Sequence, residues 1–253
     1  MTNKTLIAHS PKTVVVLPAY NAAKTLAQTV REIPDGAADE VILVDDASAD
    51  GTTTIARELG IRHIVRHETN KGYGANQKTC YRLALALGAD IIVMLHPDYQ
   101  YAPALIPELT RKIADEGYAL VLGSRVADGA ALKGGMPRYK YWANRFLTAT
   151  QNWVFRLRLT EYHSGYRAFS RRALELLNFQ AYSDGFLFDN QIIADCVAAN
   201  LPIGEIPCPA RYFPDASSLG FAASLRYGLG VLGVSLAYAL RRFVRGIVKR
   251  TGL

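Results

Sequence analysis

Two apolar segments of this chain end in acids. Val-Ile-Leu-Val-Asp-Asp closes at Asp45 and Asp46, and Ile-Ile-Val-Met-Leu runs into His96-Pro97-Asp98-Tyr99-Gln100. If both are strands of an open parallel sheet, their acids meet in one crevice beyond the strand ends. Clustered carboxylates are costly unless a cation or hydrogen-bond donors share the site. A hydrated divalent cation carrying a diphosphate, with the polar rim of a nucleoside beside it, meets that demand. Oxygen donors suit Mg²⁺ or Mn²⁺. Asp98 is the expected direct ligand, with Gln100 or His96 in support. The pattern points to an enzyme that handles an activated phosphate ester.

Each residue also has a plainer reading. Ala-Ser-Ala-Asp-Gly-Thr after Asp46 is good turn and cap chemistry, but a cap needs only one aspartate. Pro18-Ala19-Tyr20-Asn21 ends the first apolar segment, where Tyr20 could stack on a base and Asn21 could serve as a cap. Asn-Lys-Gly-Tyr-Gly-Ala-Asn-Gln-Lys, from Asn70 to Lys78, is a weak dinucleotide fingerprint, because Gln77 occupies the third glycine place. Its glycines instead predict close backbone approach at a helix start, with Lys71 and Gly72 facing the ligand.

The elements that must position these residues alternate regularly. Thr13–Tyr20 reads as a buried strand, and Leu26, Val30 and Ile33 mark one face of the helix that follows. Further strands are expected at 40–46, 62–67, 90–98 and 119–125, with helices between them. This order predicts an α/β fold with a mainly parallel sheet between helical layers. After Ala127 comes a Gly-rich loop, then a long helix around Tyr139–Leu157 and further short elements. The economical division is one domain over 1–218 and a helical segment over 219–253.

Composition narrows the partners. The chain has 253 residues, half hydrophobic, with a formal net charge of +7, which favours an anionic partner. Nucleic acid is disfavoured, since the basic residues cluster at the C-terminus without an interleaved aromatic platform. Cys80, Cys196 and Cys208 lack metal-ligand spacing and read as small buried residues of a reducing compartment. The start lacks the long apolar core of a secretory signal. The run Tyr227–Leu240 is expected to be too short and glycine-interrupted to span a membrane. Arg241, Arg245 and Lys249 would form one helical stripe, flanked by Arg242 and Arg250, while Phe243, Val244, Ile247 and Val248 face away. That predicts an amphipathic helix lying in an anionic membrane interface. An oligomer is compatible with the same features.

The motifs Pro18-Ala-Tyr-Asn21, Val44-Asp-Asp-Ala-Ser-Ala-Asp-Gly-Thr52, Asn70-Lys-Gly-Tyr-Gly-Ala-Asn-Gln77, His96-Pro-Asp-Tyr-Gln100 and Leu122-Gly-Ser-Arg125 stand in the order seen in family 2 nucleotide-sugar glycosyltransferases. The chain most resembles the dolichyl-phosphate mannose synthase and polyprenyl-phosphate branch. The resemblance implies a GT-A fold, and together with the C-terminal helix it leads to the expectation of a peripheral enzyme on the cytoplasmic membrane face. It further implies an inverting, metal-dependent transferase that moves one sugar from a UDP- or GDP-sugar to a lipid-linked acceptor, such as a polyprenyl phosphate. By that likeness Asp45 or Asp46 contacts the nucleoside, with Pro18, Tyr20, Asn21, Lys71 and Gly72 around it. Asp98 holds the metal. Arg125, Arg138, Arg167 and Arg211 are the candidate diphosphate or acceptor-phosphate contacts, Arg167 through two parallel hydrogen bonds. Asp189, at a helix start, falls in the acceptor region and would be the general base if the acceptor were a hydroxyl. The chain departs from the branch in its acidic motif, usually Asp-x-Asp, where His96 takes the first place. A lysine expected after Arg211 falls on Ser217 or Ser218. Rival readings are transfer to a saccharide or lipid hydroxyl, and a catalytically weakened nucleotide-sugar-binding subunit.

Overall fold

A computed structural model describes residues 10–129, 131–132, 134–211 and 220–251, without the side chains of Phe221 and 245–251. The expected domain boundary, Ser217 and Ser218, and the side chains of Arg245, Ile247, Val248, Lys249 and Arg250 lie outside the described residues.

Seven strands form one sheet: β1 (Thr13–Ala19), β2 (Glu40–Asp45), β3 (His63–Arg66), β4 (Ile91–Met94), β5 (Leu120–Ser124), β6 (Arg167–Ser170) and β7 (Ile203–Pro207). Their spatial order is β3-β2-β1-β4-β6-β5-β7. All pairs are parallel except those of β6, which runs antiparallel between β4 and β5. Every residue of β1 is buried, as a central strand covered on both faces requires. Alternation then assigns the layers. Val14 and Val16 join Ile42, Val44, Ile92 and Met94 in one core, while Val15 and Leu17 join Leu43 and Val93 in the other.

The first core is covered by α3 (Tyr73–Ala86) and α7 (Phe188–Ala198), and the second by α1 (Leu26–Arg31), α2 (Thr52–Glu58) and α4 (Ile106–Ala114). The helix expected near Tyr139 is α5 (Arg138–Phe155), followed after β6 by the short α6 (Arg171–Leu176). The three cysteines are buried and unpaired, as expected.

The C-terminal segment is one continuous helix, α8 (Phe221–Thr251), packed against α5 and α7. Val231, Ser235 and Tyr238 form its buried face, an i, i+4, i+7 pattern. Its glycines do not break it. Gly230 is where the helix meets α7, since a Cβ there would stand 2.6 Å from Leu187. The expectation that this run is too short to span is corrected. Ala222–Val244 is long and apolar enough to cross a membrane by length and composition, and only 17% of its apolar window is buried.

Candidate active site

The chain leaves β1 toward β2 and β3, then returns to β4 on the other side of β1. Such a reversal opens a crevice beyond the strand ends. A cleft of about 870 Å³ lies there, lined by Pro18–Ala22 at the end of β1, Asp46 after β2, and His96, Asp98 and Gln100 after β4. The predicted convergence of acids is therefore observed, but with Asp46 rather than Asp45.

Asp45 is fully buried and does not line the cleft. It braces its own turn, accepting from the Ser48 N–H at 3.2 Å and from the Ser48 hydroxyl, with Arg66 Nε 3.4 Å from its second oxygen. Asp46 clamps the loop before α3. The Lys71 and Gly72 N–H groups donate to its two oxygens at 2.9 Å each, and His67 Nδ1 lies 2.7 Å away. Lys71 thus contributes its backbone here, and its exposed side chain does not line the cleft. Asn21 adopts a left-handed φ of 51° and accepts from the Ala49 N–H at 3.0 Å, tying the β1 and β2 loops together. Tyr20 is 57% exposed at the cleft wall, free of the packing that would bury an ordinary core aromatic.

The loop glycines do something other than expected. A Cβ on Gly74 would stand 2.3 Å from the Ser183 carbonyl, and one on Gly72 would stand 2.8 Å from that of Asp184. They admit the 183–185 loop against α3, and only Gly72 also reaches the cleft.

Asp189 lines the cleft from the first turn of α7. Its Oδ1 accepts from Gln77 Nε2 at 3.2 Å and its Oδ2 from the Tyr73 hydroxyl at 2.8 Å. Arg167 Nη2 lies 3.4 Å from Oδ2. This corrects the reading of Arg167 as a phosphate contact. Its side chain is wholly buried and donates to the carbonyls of Ser164 (2.9 Å), Asp189 (2.8 Å) and Tyr162 (3.2 Å). A buried guanidinium must be fully hydrogen-bonded, and these partners occupy it.

The other arginines divide. Arg125 lines the cleft, its backbone N–H and guanidinium both donating to Glu161 and its Nη2 to the His163 carbonyl at 3.2 Å. Burial alone would raise the Glu161 carboxyl, but the Arg125 charge and hydrogen bonds hold it below its ordinary value. Arg138 is exposed at the start of α5 and does not line the cleft; Lys140, two residues on, does. Arg211 stacks 4.3 Å over the Tyr99 ring and pairs with Glu32 at 3.5 Å, also outside the cleft lining.

Among the described residues, no group of three or more His, Cys, Asp or Glu side chains is placed to hold a metal. Asp98 and Gln100 nevertheless bring oxygens to the cleft, and the Gln100 N–H donates to Asp98 Oδ1 at 3.1 Å. Such a donor set cannot cage a cation alone. It fits one that draws most of its ligands from a diphosphate and water, as Mg²⁺ commonly does.

Several cleft residues escaped the sequence reading. Tyr73 sits between the two glycines, and Tyr227 on α8 bonds to both His163 Nδ1 (3.1 Å) and Asn190 Nδ2 (2.6 Å). Burial pushes His163 down to about 4, so the imidazole is neutral at pH 7. Part of the cleft wall is apolar, made by Met136, Phe146 and Leu147 together with Leu225, Leu229 and Leu232 of α8.

The chain is similar to known proteins in sequence and in fold. Among curated proteins, the chain is 30% identical over 214 residues to the UDP-N-acetylglucosamine–dolichyl-phosphate N-acetylglucosaminyltransferase of Methanococcus voltae, covering 78% of this chain and 85% of that one. It is 29% identical over 207 residues to the polyprenol monophosphomannose synthase of Mycolicibacterium smegmatis, covering 78% and 76%. Its fold is similar to that of glucosyl-3-phosphoglycerate synthase from Mycobacterium tuberculosis, solved with Mn²⁺, uridine diphosphate and phosphoglyceric acid. That likeness has a TM-score of 0.68 at 20% identity over 91% of this chain and 79% of the other. The expected GT-A architecture is thereby borne out. The sequence pattern of glycosyl transferase family 2 matches residues 14–177, well over half the chain, and the protein is a glycosyltransferase belonging to that family.

Proposed function

We propose that this enzyme transfers one sugar from a UDP- or GDP-sugar to a polyprenyl phosphate at a membrane surface, inverting the anomeric centre. The observation that carries the reading is the mixed lining of the cleft, which we read as two-ended: polar where Asp46, Asp98 and the residues after β1 and β2 line it, apolar where side chains of α5 and α8 do. A nucleotide suits the first end, and a phosphate on a long hydrocarbon suits the second. The named activities of the M. voltae and M. smegmatis relatives support this choice of acceptor.

Asp98, with Gln100, would hold Mg²⁺ or Mn²⁺ against the donor diphosphate, and the ion would neutralise charge building on that leaving group. Lys140 supplies positive charge within the cleft for an anionic acceptor, while the Arg125 charge beside it is balanced by Glu161. The acceptor oxygen bonds to the anomeric carbon from the face opposite the departing diphosphate. A phosphate acceptor is already ionised and needs no base. That suits Asp189, whose oxygens are engaged by Tyr73, Gln77 and Arg167.

Outward-facing apolar residues extend the greasy end onto the surface. Trp142, Phe146 and Trp153 stand along α5, and Leu225, Leu229, Leu236, Leu240 and Phe243 along α8. These stripes, beside the basic C-terminal turns, support peripheral attachment to the cytoplasmic leaflet. In this reading 1–218 is the catalytic domain and 219–253 the membrane-facing helix.

The test is transfer from a panel of UDP- and GDP-sugars to short polyprenyl phosphates, the matching polyprenols and simple saccharides. A phosphate-dependent product is expected. Transfer to hydroxyls alone, abolished by Asp189→Asn, would install Asp189 as base. Tight nucleotide binding without any turnover would favour a binding subunit.

A further inference from the structure

We propose that His96 and Tyr73 form a positioning pair for Asp189, so that the first place of the acidic motif serves the acceptor-side carboxylate and not the metal. The inference deepens the transferase reading and rests on it.

The hydrogen-bond directions follow from the donor inventory. The Tyr73 hydroxyl has one proton, and Asp189 Oδ2, held 3.4 Å from Arg167, can only accept. The phenol therefore donates to Asp189 at 2.8 Å and accepts from His96 Nε2–H at 3.1 Å. That fixes the imidazole as the Nε2–H tautomer. The rings are stacked as well, with centroids 5.3 Å apart for Tyr73 and His96, and 4.6 Å apart for Tyr73 and Phe186. Gly165 makes the room. A Cβ there would stand 2.7 Å from the His96 Nε2 and Cδ2 atoms and 3.3 Å from the Tyr73 hydroxyl.

The chain His96–Tyr73–Asp189–Arg167 thus links the end of β4, the first turn of α3, the first turn of α7 and the start of β6. An aspartate at position 96 would set a second carboxylate against the same phenol proton, and two carboxylates sharing a site repel. The His96 imidazole donates its Nε2–H into the chain without that conflict. Asp98 and Gln100 are then the metal-side residues, and their ion depends the more on the substrate diphosphate.

Three readouts on the full chain test this. Mn²⁺ binding in the presence of UDP or GDP, by calorimetry, should stay within about threefold of wild type in His96→Ala but be lost in Asp98→Ala. Nitrogen-15 NMR should find His96 as the Nε2–H tautomer, shifting toward a mixture in Tyr73→Phe, which keeps the ring stack. In turnover, Tyr73→Phe and His96→Ala should each lower kcat about tenfold with donor KM unchanged, and the double variant should be no worse than the weaker single. Three results would each overturn the pair: a tenfold or greater loss of Mn²⁺ affinity in His96→Ala, an Nδ1–H tautomer in the wild type, or additive losses. A wild-type protein that transfers no sugar would refute the transferase reading alone, and the first two readouts would still decide the pair.

Discussion

Removing Trp142 and Trp153 should detach this enzyme from membranes. Trp153 is 83% exposed and Trp142 69% exposed, on one stripe of α5 with Tyr139 and Phe146. A tryptophan side chain offers roughly 200 Å². The two therefore present roughly 300 Å² to a bilayer, worth about 7 kcal/mol at about 25 cal/mol per Å² if fully immersed. Rings lying in an interface are only partly immersed, so we take roughly half of that area term. Trp142→Ala/Trp153→Ala should then lose about 3 kcal/mol of partitioning, roughly a hundredfold. Co-sedimentation with vesicles containing anionic lipid measures this directly, with thermal melting as the control for folding. Neither ring is packed in the core, so the melting temperature should hold. Binding within threefold of wild type in a folded double variant would refute α5 as a membrane-facing element.

Other consequences are independent of the lipid. Asp98→Ala should lower metal-dependent transfer by at least roughly a hundredfold, and full retention would remove Asp98 from the site. His163 is held neutral down to about 4, whereas an unfolded histidine titrates near its ordinary 6.5. Between those values the unfolded state binds the extra proton, so stability falls as pH drops from 6.5 to 4, by up to about 3 kcal/mol. Denaturant melts across that window should show a shallower pH slope in His163→Gln, and an unchanged slope would sink the assignment. Gly74→Ala must displace the 183–185 loop, since its Cβ would lie 2.3 Å from the Ser183 carbonyl. It should cost about 1–3 kcal/mol in thermal or denaturant melts, and a neutral effect would contradict the packing described.

What the sequence discloses and what it hides have physical causes. β1, β2 and β4 are legible because buried parallel strands are unbroken apolar runs, and their acids stand out at the strand ends. β6 is hidden because it has only four residues and opens with Arg167. An arginine beside glycine and tyrosine reads as an anion contact, yet its guanidinium closes a buried network that only the fold assembles. Asp45 and Asp46 are indistinguishable by type; the fold turns Asp45 inward against its own turn and sets Asp46 at the cleft against the Lys71 and Gly72 backbone. Gly230 of α8 looks like an interruption because its close approach to Leu187 exists only in three dimensions. Tyr73 carries no signal beyond its place between two glycines.

The most direct measurement is the structure of the protein with Mn²⁺ and the nucleoside diphosphate it binds. The ion should sit between an Asp98 oxygen and the phosphates, with the base against Pro18, Tyr20 and Asn21 and the open end of the cleft facing α5 and α8. A nucleotide bound elsewhere, or seated there with Asp98 out of reach of its phosphates, would contradict the two-ended cleft on which the transferase mechanism rests.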